Sequence, residues 1–412
     1  MRGILLVLFC SASVYGQSYP ADNAAERENP TQPYSDISER IGNFSIELLF
    51  HTSKQYNGGN LIISPISVWT VLAVISGGAH GKTAAQLHNA LRITKKNTDL
   101  LRSSYQNLNK KLQVNSLTVT FVNINAVFVD QNTLILNDFQ TVAESVYETP
   151  VVLLDFNDRV NTANAINQLV SDATRGRKLV HSSYIDKGII ATSALHFKGQ
   201  WKVPFNAAST AIMPFYSSTG EQIGEVNMMH SRFTYPFANM KELQARVIEL
   251  PYGKEDRFSM LIMLPHPNVS LVSMFRNLAR VTLDTIINQL RVYKKEYGED
   301  DVECYLPRFR IESTLDLANV LKSGMGIEDV FDENVARLPL LARTPSFVSK
   351  VIHRAEIEVT EEGTTPKWIA GDSSHHVGAV SFVGNRPFYF LVIEKVTMSI
   401  IFGGVYETPS LY

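Results

Sequence analysis

Three features of the sequence predict an α+β fold. Helical apolar spacing gathers in the first half of the chain, and strand-like runs of β-branched and aromatic residues gather in the second, chiefly past Trp201. No internal repeat or low-complexity linker divides the 412 residues, so they read as one large domain. Hydrophobic residues make up 45% and charged residues 19%, the balance of an ordinary globular protein able to build a sizeable core.

The elements follow in order. Residues 1–16, MRGILLVLFCSASVYG, place Arg2 before an apolar run from Ile4 to Cys10 and end in small residues. That is the layout of a secretory signal peptide, and the run is too short to span a bilayer. A secreted, extracellular protein without a membrane span is therefore expected. Residues 17–36 are polar, with prolines at 20, 30 and 33, and read as a flexible lead-in; a folded domain is expected over 37–408. Ile41, Phe44, Leu48 and Leu49 have helical spacing. In NLIISPISVWTVLAVISGGAH (60–80) a short strand precedes a helix begun at Pro65, and the all-round apolar character from Val68 to Ile75 makes that helix a buried one.

Residues 83–91 and 97–113 read as amphipathic helices, 117–130 as a long central strand, 161–174 as a helix and 189–199 as a buried strand. Hairpins are expected over 212–235, then strands at 246–252 and 258–265 and a helical piece over 270–290. ECYLPRFRIES (303–313) reads as one strand, followed by a short helix over 315–324 and strands at 347–359, 389–395 and 399–406.

Charge and motifs exclude most functional classes. The net charge is −2, so nothing calls for a nucleic-acid partner. Of two cysteines, Cys10 lies in the predicted leader and Cys304 is left as a strand thiol, which rules out an internal disulfide. Sequons stand at Asn43 and Asn268; the turn after PHP makes Asn268 the better glycan acceptor. GGAHGKT (77–83) has three residues between Gly77 and Gly81 where a phosphate loop needs four. No nucleophile elbow or metal signature occurs, and the His375–His376 pair lacks further ligands at a useful spacing, so no metal or other cofactor is expected. Lys95, Lys96, Arg102, Lys110 and Lys111, with Lys294 and Lys295, could meet a polyanion; a solvated helical face explains them more simply. No enzyme chemistry is visible.

The chain resembles the serpin family from about residue 37 to 408. NLIISPISVWTVLAVISGGAHGKTAAQL, SALHFKGQWKVPF, IELPYGKEDRFSMLIMLP, YLPRFRIES, LKSGMGIEDVF, VSKVIHRAEIEVTEEGT and NRPFYFLVIEKVTMSIIFGGV carry the resemblance, in the family's order. It implies three β-sheets, about nine helices and an exposed reactive loop over about 361–382. It also implies a monomeric suicide substrate whose partner is a target peptidase. In such proteins cleavage frees the loop to insert as a new central strand, which distorts the trapped peptidase. Gate positions of the family match Ser64, Ser67 and His353; a fourth, usually asparagine, is Ser193 here, and Trp201 matches the tryptophan where the hinge enters the sheet.

The loop departs from an easily inserting pattern. After the hinge residues Glu361, Glu362 and Gly363, the small Thr364 and Thr365 suit insertion, but Pro366, Lys367 and Trp368 do not. Proline removes a ladder donor, and the inward set Thr364, Pro366, Trp368, Ala370 and Asp372 would bury a tryptophan and an aspartate. Counting from the hinge places the scissile bond at Val377–Gly378; counting back from Phe382 places it at Ser374–His375. Neither offers Arg or Lys, which disfavours trypsin-like targets. A papain-like cysteine peptidase, an elastase-like serine peptidase met through Val377, and a non-inhibitory carrier, storage or binding role all stay open.

Overall fold

The computed structural model describes residues 33–56, 58–94, 98–113, 118–296, 302–362 and 380–412. The predicted leader and most of the lead-in lie outside them, and Tyr34–Tyr412 forms one unit. The first half holds α1 (Pro33–Gln55), β1 (Leu61–Ile63), α2 (Pro65–Gly78), α3 (Gly81–Leu91), α4 (Thr98–Leu112), β2 (Val119–Asp130), α5 (Asn137–Tyr147), β3 (Val151–Leu154), α6 (Arg159–Leu169), α7 (Ser171–Thr174) and β4 (Ile189–Gly199). The second holds β5 (Ala211–Tyr216), β6 (Gln222–Phe233), β7 (Phe237–Met240), β8 (Ala245–Tyr252), β9 (Phe258–Pro265), α8 (Leu271–Leu278), α9 (Leu283–Glu296), β10 (Val302–Pro307), β11 (Phe309–Asp316), α10 (Ala318–Met325), β12 (Val348–Val359), β13 (Val380–Val383), β14 (Phe388–Glu394) and β15 (Ser399–Tyr406). Among the described residues no helix is long and apolar enough to cross a membrane.

The strands form three sheets. An antiparallel six-stranded sheet runs β1-β15-β14-β9-β8-β7, and a four-stranded sheet runs β13-β10-β6-β5. The five-stranded sheet has the order β11-β12-β4-β2-β3, with β12 parallel to β4. α2 lies beneath this last sheet and is buried along almost its whole length, which is why its sequence is apolar on every side. On the other face α6 and α7 pack Ile166 and Val170 against Ala126, Phe128, Ile190, Ala194 and Ile352. In β15, Gly403 leaves room for Leu49 of α1, since a Cβ there would stand 2.3 Å from a Leu49 methyl.

Three sequence expectations change. The single strand over 303–313 is two strands in different sheets, β10 and β11, because the chain crosses between sheets at Arg308. The helix over 161–174 is two helices: α6 starts earlier, its N-terminus capped by Asp158 accepting from the Asn161 amide at 3.2 Å, and it breaks at Val170. The helical piece over 270–290 is α8 and α9, each with its own cap, Ser270 accepting from Ser273 N–H and Thr282 from Thr285 N–H, both at 3.2 Å. Asn43 sits on an exposed face of α1 and Asn268 in an exposed turn with φ of 63°.

Candidate functional site

β12 carries the chain toward Glu361, and β4 is its parallel neighbour, paired from Val348↔Ile189 to Glu356↔His196. Parallel strands cannot be joined by a tight turn. A strand that follows β12 through a hairpin runs antiparallel to it, so between β12 and β4 it would pair antiparallel on both sides, whereas between β12 and β11 it would lie parallel to β11. The β4–β12 seam is thus where the sheet would part to receive it.

At the middle of the seam the predicted gate residues come together. His353 on β12 is in register with Ser193 on β4, and its Nδ1 lies 2.7 Å from Ser193 Oγ. Its Nε2 accepts the Ser64 backbone N–H at 2.9 Å, so the ring proton sits on Nδ1 and the imidazole is neutral. Complete burial pushes its pKa down to about 3. Ser64 Oγ and Ser67 Oγ are 2.9 Å apart at the start of α2, and Ser67 Oγ donates to Asn123 Oδ1 of β2 at 2.9 Å. Sequence reasoning missed Asn123. The shortened side chain at Ser193 still reaches the imidazole, while an asparagine on β2 takes the serine hydroxyl. An asparagine pair inside the apolar run LTVTFVNINAVFVD was the available signal.

At the top of the seam Trp201 stacks on Tyr252 with centroids 4.3 Å apart, and its Nε1 donates to the Thr360 carbonyl at 2.9 Å. Gly199 makes that stack possible, because a Cβ there would meet the Tyr252 ring at 2.6 Å. Glu361 is buried: Thr210 Oγ1 donates to its carboxylate at 2.7 Å, Arg308 Nη1 donates at 3.3 Å, and Phe205 N–H donates to its carbonyl at 3.1 Å. Glu362 is exposed. A cleft of about 110 Å³ opens here, bordered by Arg175, His196, Trp201, Tyr252, Glu358 and Glu362.

The other loop residues singled out above, Gly363, Thr364, Thr365, Pro366, Lys367, Trp368, Ser374, His375, Val377 and Gly378, lie outside the described residues. The distal end of the expected loop is already strand from Val380, where β13 pairs in parallel with β10 and Phe382 is fully buried. Of the basic cluster, Lys95 and Lys96 and the side chains of Lys294 and Lys295 also lie outside; Arg102 faces Asp99 at 3.6 Å. Cys304 is buried and its thiol pKa is pushed up by burial, as an inert strand cysteine requires. Among the described residues no group of His, Cys, Asp or Glu could hold a metal ion.

A family model described as Serpin (serine protease inhibitor) matches residues 39–409. The chain is a serpin. Its relatives include the leukocyte elastase inhibitor of Xenopus laevis, 29% identical over 91% of this chain and 100% of that protein. Human plasminogen activator inhibitor 2 is 26% identical over 89% of this chain and 98% of that one. Human glycosylated kallistatin shares the fold, with a TM-score of 0.79 at 23% identity over 92% of this chain and 99% of that one. These relatives correct the expectation of a secreted, extracellular protein. Leukocyte elastase inhibitor and plasminogen activator inhibitor 2 belong to an intracellular branch of serpins without signal peptides, which conflicts with reading secretion from residues 1–16.

Proposed function

We propose that this serpin is a peptidase inhibitor of the suicide-substrate type, acting as a monomer and consumed instead of turning over, with 363–379 as bait. The observation that carries the reading is the β4–β12 seam. Two parallel strands meet directly beneath Glu361, with a buried polar network set among their apolar side chains. A strand returning from Glu361 would be antiparallel to both neighbours and would exchange one parallel ladder for two antiparallel ones, the more stable pairing per residue.

The favoured target is an elastase-like serine peptidase cleaving after Val377. An apolar residue at that point suits such an enzyme, and relatives named as leukocyte elastase inhibitors support the same class. A second reading, loop cleavage without trapping, is favoured by Pro366 and Trp368, which hinder insertion and slow it in its race with deacylation.

Incubation with a panel of serine peptidases and papain-like cysteine peptidases decides between them, read by intact mass, gel and residual activity. A covalent complex with an elastase-like enzyme is the expected result. Clean cleavage with full peptidase activity, and no rise in melting temperature after cleavage, would instead establish the second reading. Trapping of a cysteine peptidase alone would move the target class.

A further inference from the structure

Within the seam one residue has no settled role. His196 on β4 is in register with Glu356 on β12, the last pair of the ladder below the hinge. Its ring Nδ1 is buried without a hydrogen-bond partner. The facing carboxylate is turned to other partners. Glu356 Oε1 already accepts from Arg175 Nη1 at 3.2 Å and from Arg310 Nη2 at 2.8 Å, and its Oε2 lies 3.6 Å from Arg354. Arg354 is in turn held by Glu312 at 3.0 Å and by Thr314 Oγ1 at 2.8 Å.

The charged groups around the ring come from every neighbouring element. β12 presents Glu356 and Glu358, the turn after α7 presents Arg175, and β4 itself presents Lys198. Glu362 and the Tyr252 hydroxyl border the same cleft, while the β2 residue in register is the apolar Val122. Glu356, the nearest source of negative charge, is already matched by three arginines.

We propose that His196 is an acid-sensitive release for the top of the β4–β12 seam. With the strands paired, the Nδ1 proton of an imidazolium at this position would be buried, without a partner and beside Arg175. When the strands part, water reaches Nδ1 and the proton is accommodated. Burial first, and Arg175 second, hold the pKa of the paired state below the ordinary 6.5. In parted strands it returns toward 6.5. Acidification below about 6.5 therefore favours the parted form, and the gain stops once the pH falls below the pKa of the paired state. His353, at the middle of the same seam, is exposed only when the parting runs down to Ser193, so the acid response of the top of the seam is set by His196. The consequence for peptidase trapping rests on the function proposed above; the opening itself does not.

The test is hydrogen–deuterium exchange of the full chain at pH 7.5 and 5.5, corrected for the intrinsic pH dependence of exchange. Peptides covering 193–199 and 354–360 should exchange faster at pH 5.5, by at most about tenfold for a single proton. Peptides from β8 and β9 should not change. His196→Gln and His196→Phe, each with wild-type melting at pH 7.5, should abolish the acid acceleration. No acceleration in the wild type, or the same acceleration in either folded variant, would overturn the proposal. The peptidase panel at pH 7.5 reports separately. A chain that opens in acid but traps nothing keeps this inference and loses the proposed function, and the reverse result does the opposite.

Discussion

In the six-stranded sheet, β9, β14 and β15 are buried along their whole length, and the few charges there are locked in pairs: Lys395 bonds Glu249 at 2.9 Å and Arg257 bonds Glu394 at 2.6 Å. The β4–β12 seam of the five-stranded sheet is almost as buried and shares the apolar pairs Ile189–Val348, Ala191–Val351 and Leu195–Ala355, yet it also carries Ser193, His353, His196 and Glu356. Burial alone therefore does not distinguish the two sheets. Chemistry does. Apolar strands lose their whole transfer free energy when parted, whereas hydroxyl, imidazole and carboxylate groups exchange one set of hydrogen bonds for another with water. Parting the seam is therefore expected to cost less per residue than parting the six-stranded sheet.

The contrast can be broken at several points. Phe402→Ala, on β15 of the six-stranded sheet, should cost about 3–5 kcal/mol in urea denaturation and leave exchange at the seam unchanged relative to the rest of the molecule.

His353 should make global stability fall with acid. Its folded-state pKa of about 3 lies below the 6.5 of an exposed histidine, so the unfolded chain binds the extra proton first. Its contribution is complete above about pH 6.5 and is lost as pH falls toward 3. The loss amounts to about 2 kcal/mol by pH 5. Denaturation midpoints against pH should fall less steeply in His353→Gln.

Asn123→Ala strips the acceptor from Ser67 and leaves two buried hydroxyls to share one bond. A loss of roughly 1–2 kcal/mol is expected, with faster exchange confined to β2, β4 and the start of α2. Thr210→Val removes one donor from the Glu361 carboxylate and should cost only roughly 0.5–1 kcal/mol. Its clearer signature would be faster exchange at residues 359–362. Equal exchange there in variant and wild type would show that Arg308 and the Phe205 amide suffice to hold the hinge.

Much of this architecture was legible. Proline at the first turn and an all-round apolar stretch gave α2, and strand-like runs gave β4, β8, β9, β14 and β15 to within a residue or two. The β10–β11 break carried a signal that was passed over. Inward residues fall at Val302, Cys304 and Leu306 and then at Phe309 and Ile311, a slip of one that turns the strand over to face another sheet.

The gate serines and His353 were placed by resemblance, but Asn123 was not, because its partner Ser67 lies on a helix that no local periodicity ties to β2. The charge balance around His196 was equally out of reach. It is assembled from Arg175, Glu356 and Arg310, which only the sheet register brings together.

The parallel pairing of β12 with β4 also has an optical consequence. Coupled carbonyl vibrations give antiparallel ladders a weak high-frequency amide I band that parallel ladders lack. A strand inserted between β12 and β4 would convert this seam from one kind of oscillator array to the other without changing the rest of the sheet. Infrared difference spectra before and after loop cleavage would then show, with no label and no identified peptidase, whether the sheet has accepted its sixth strand.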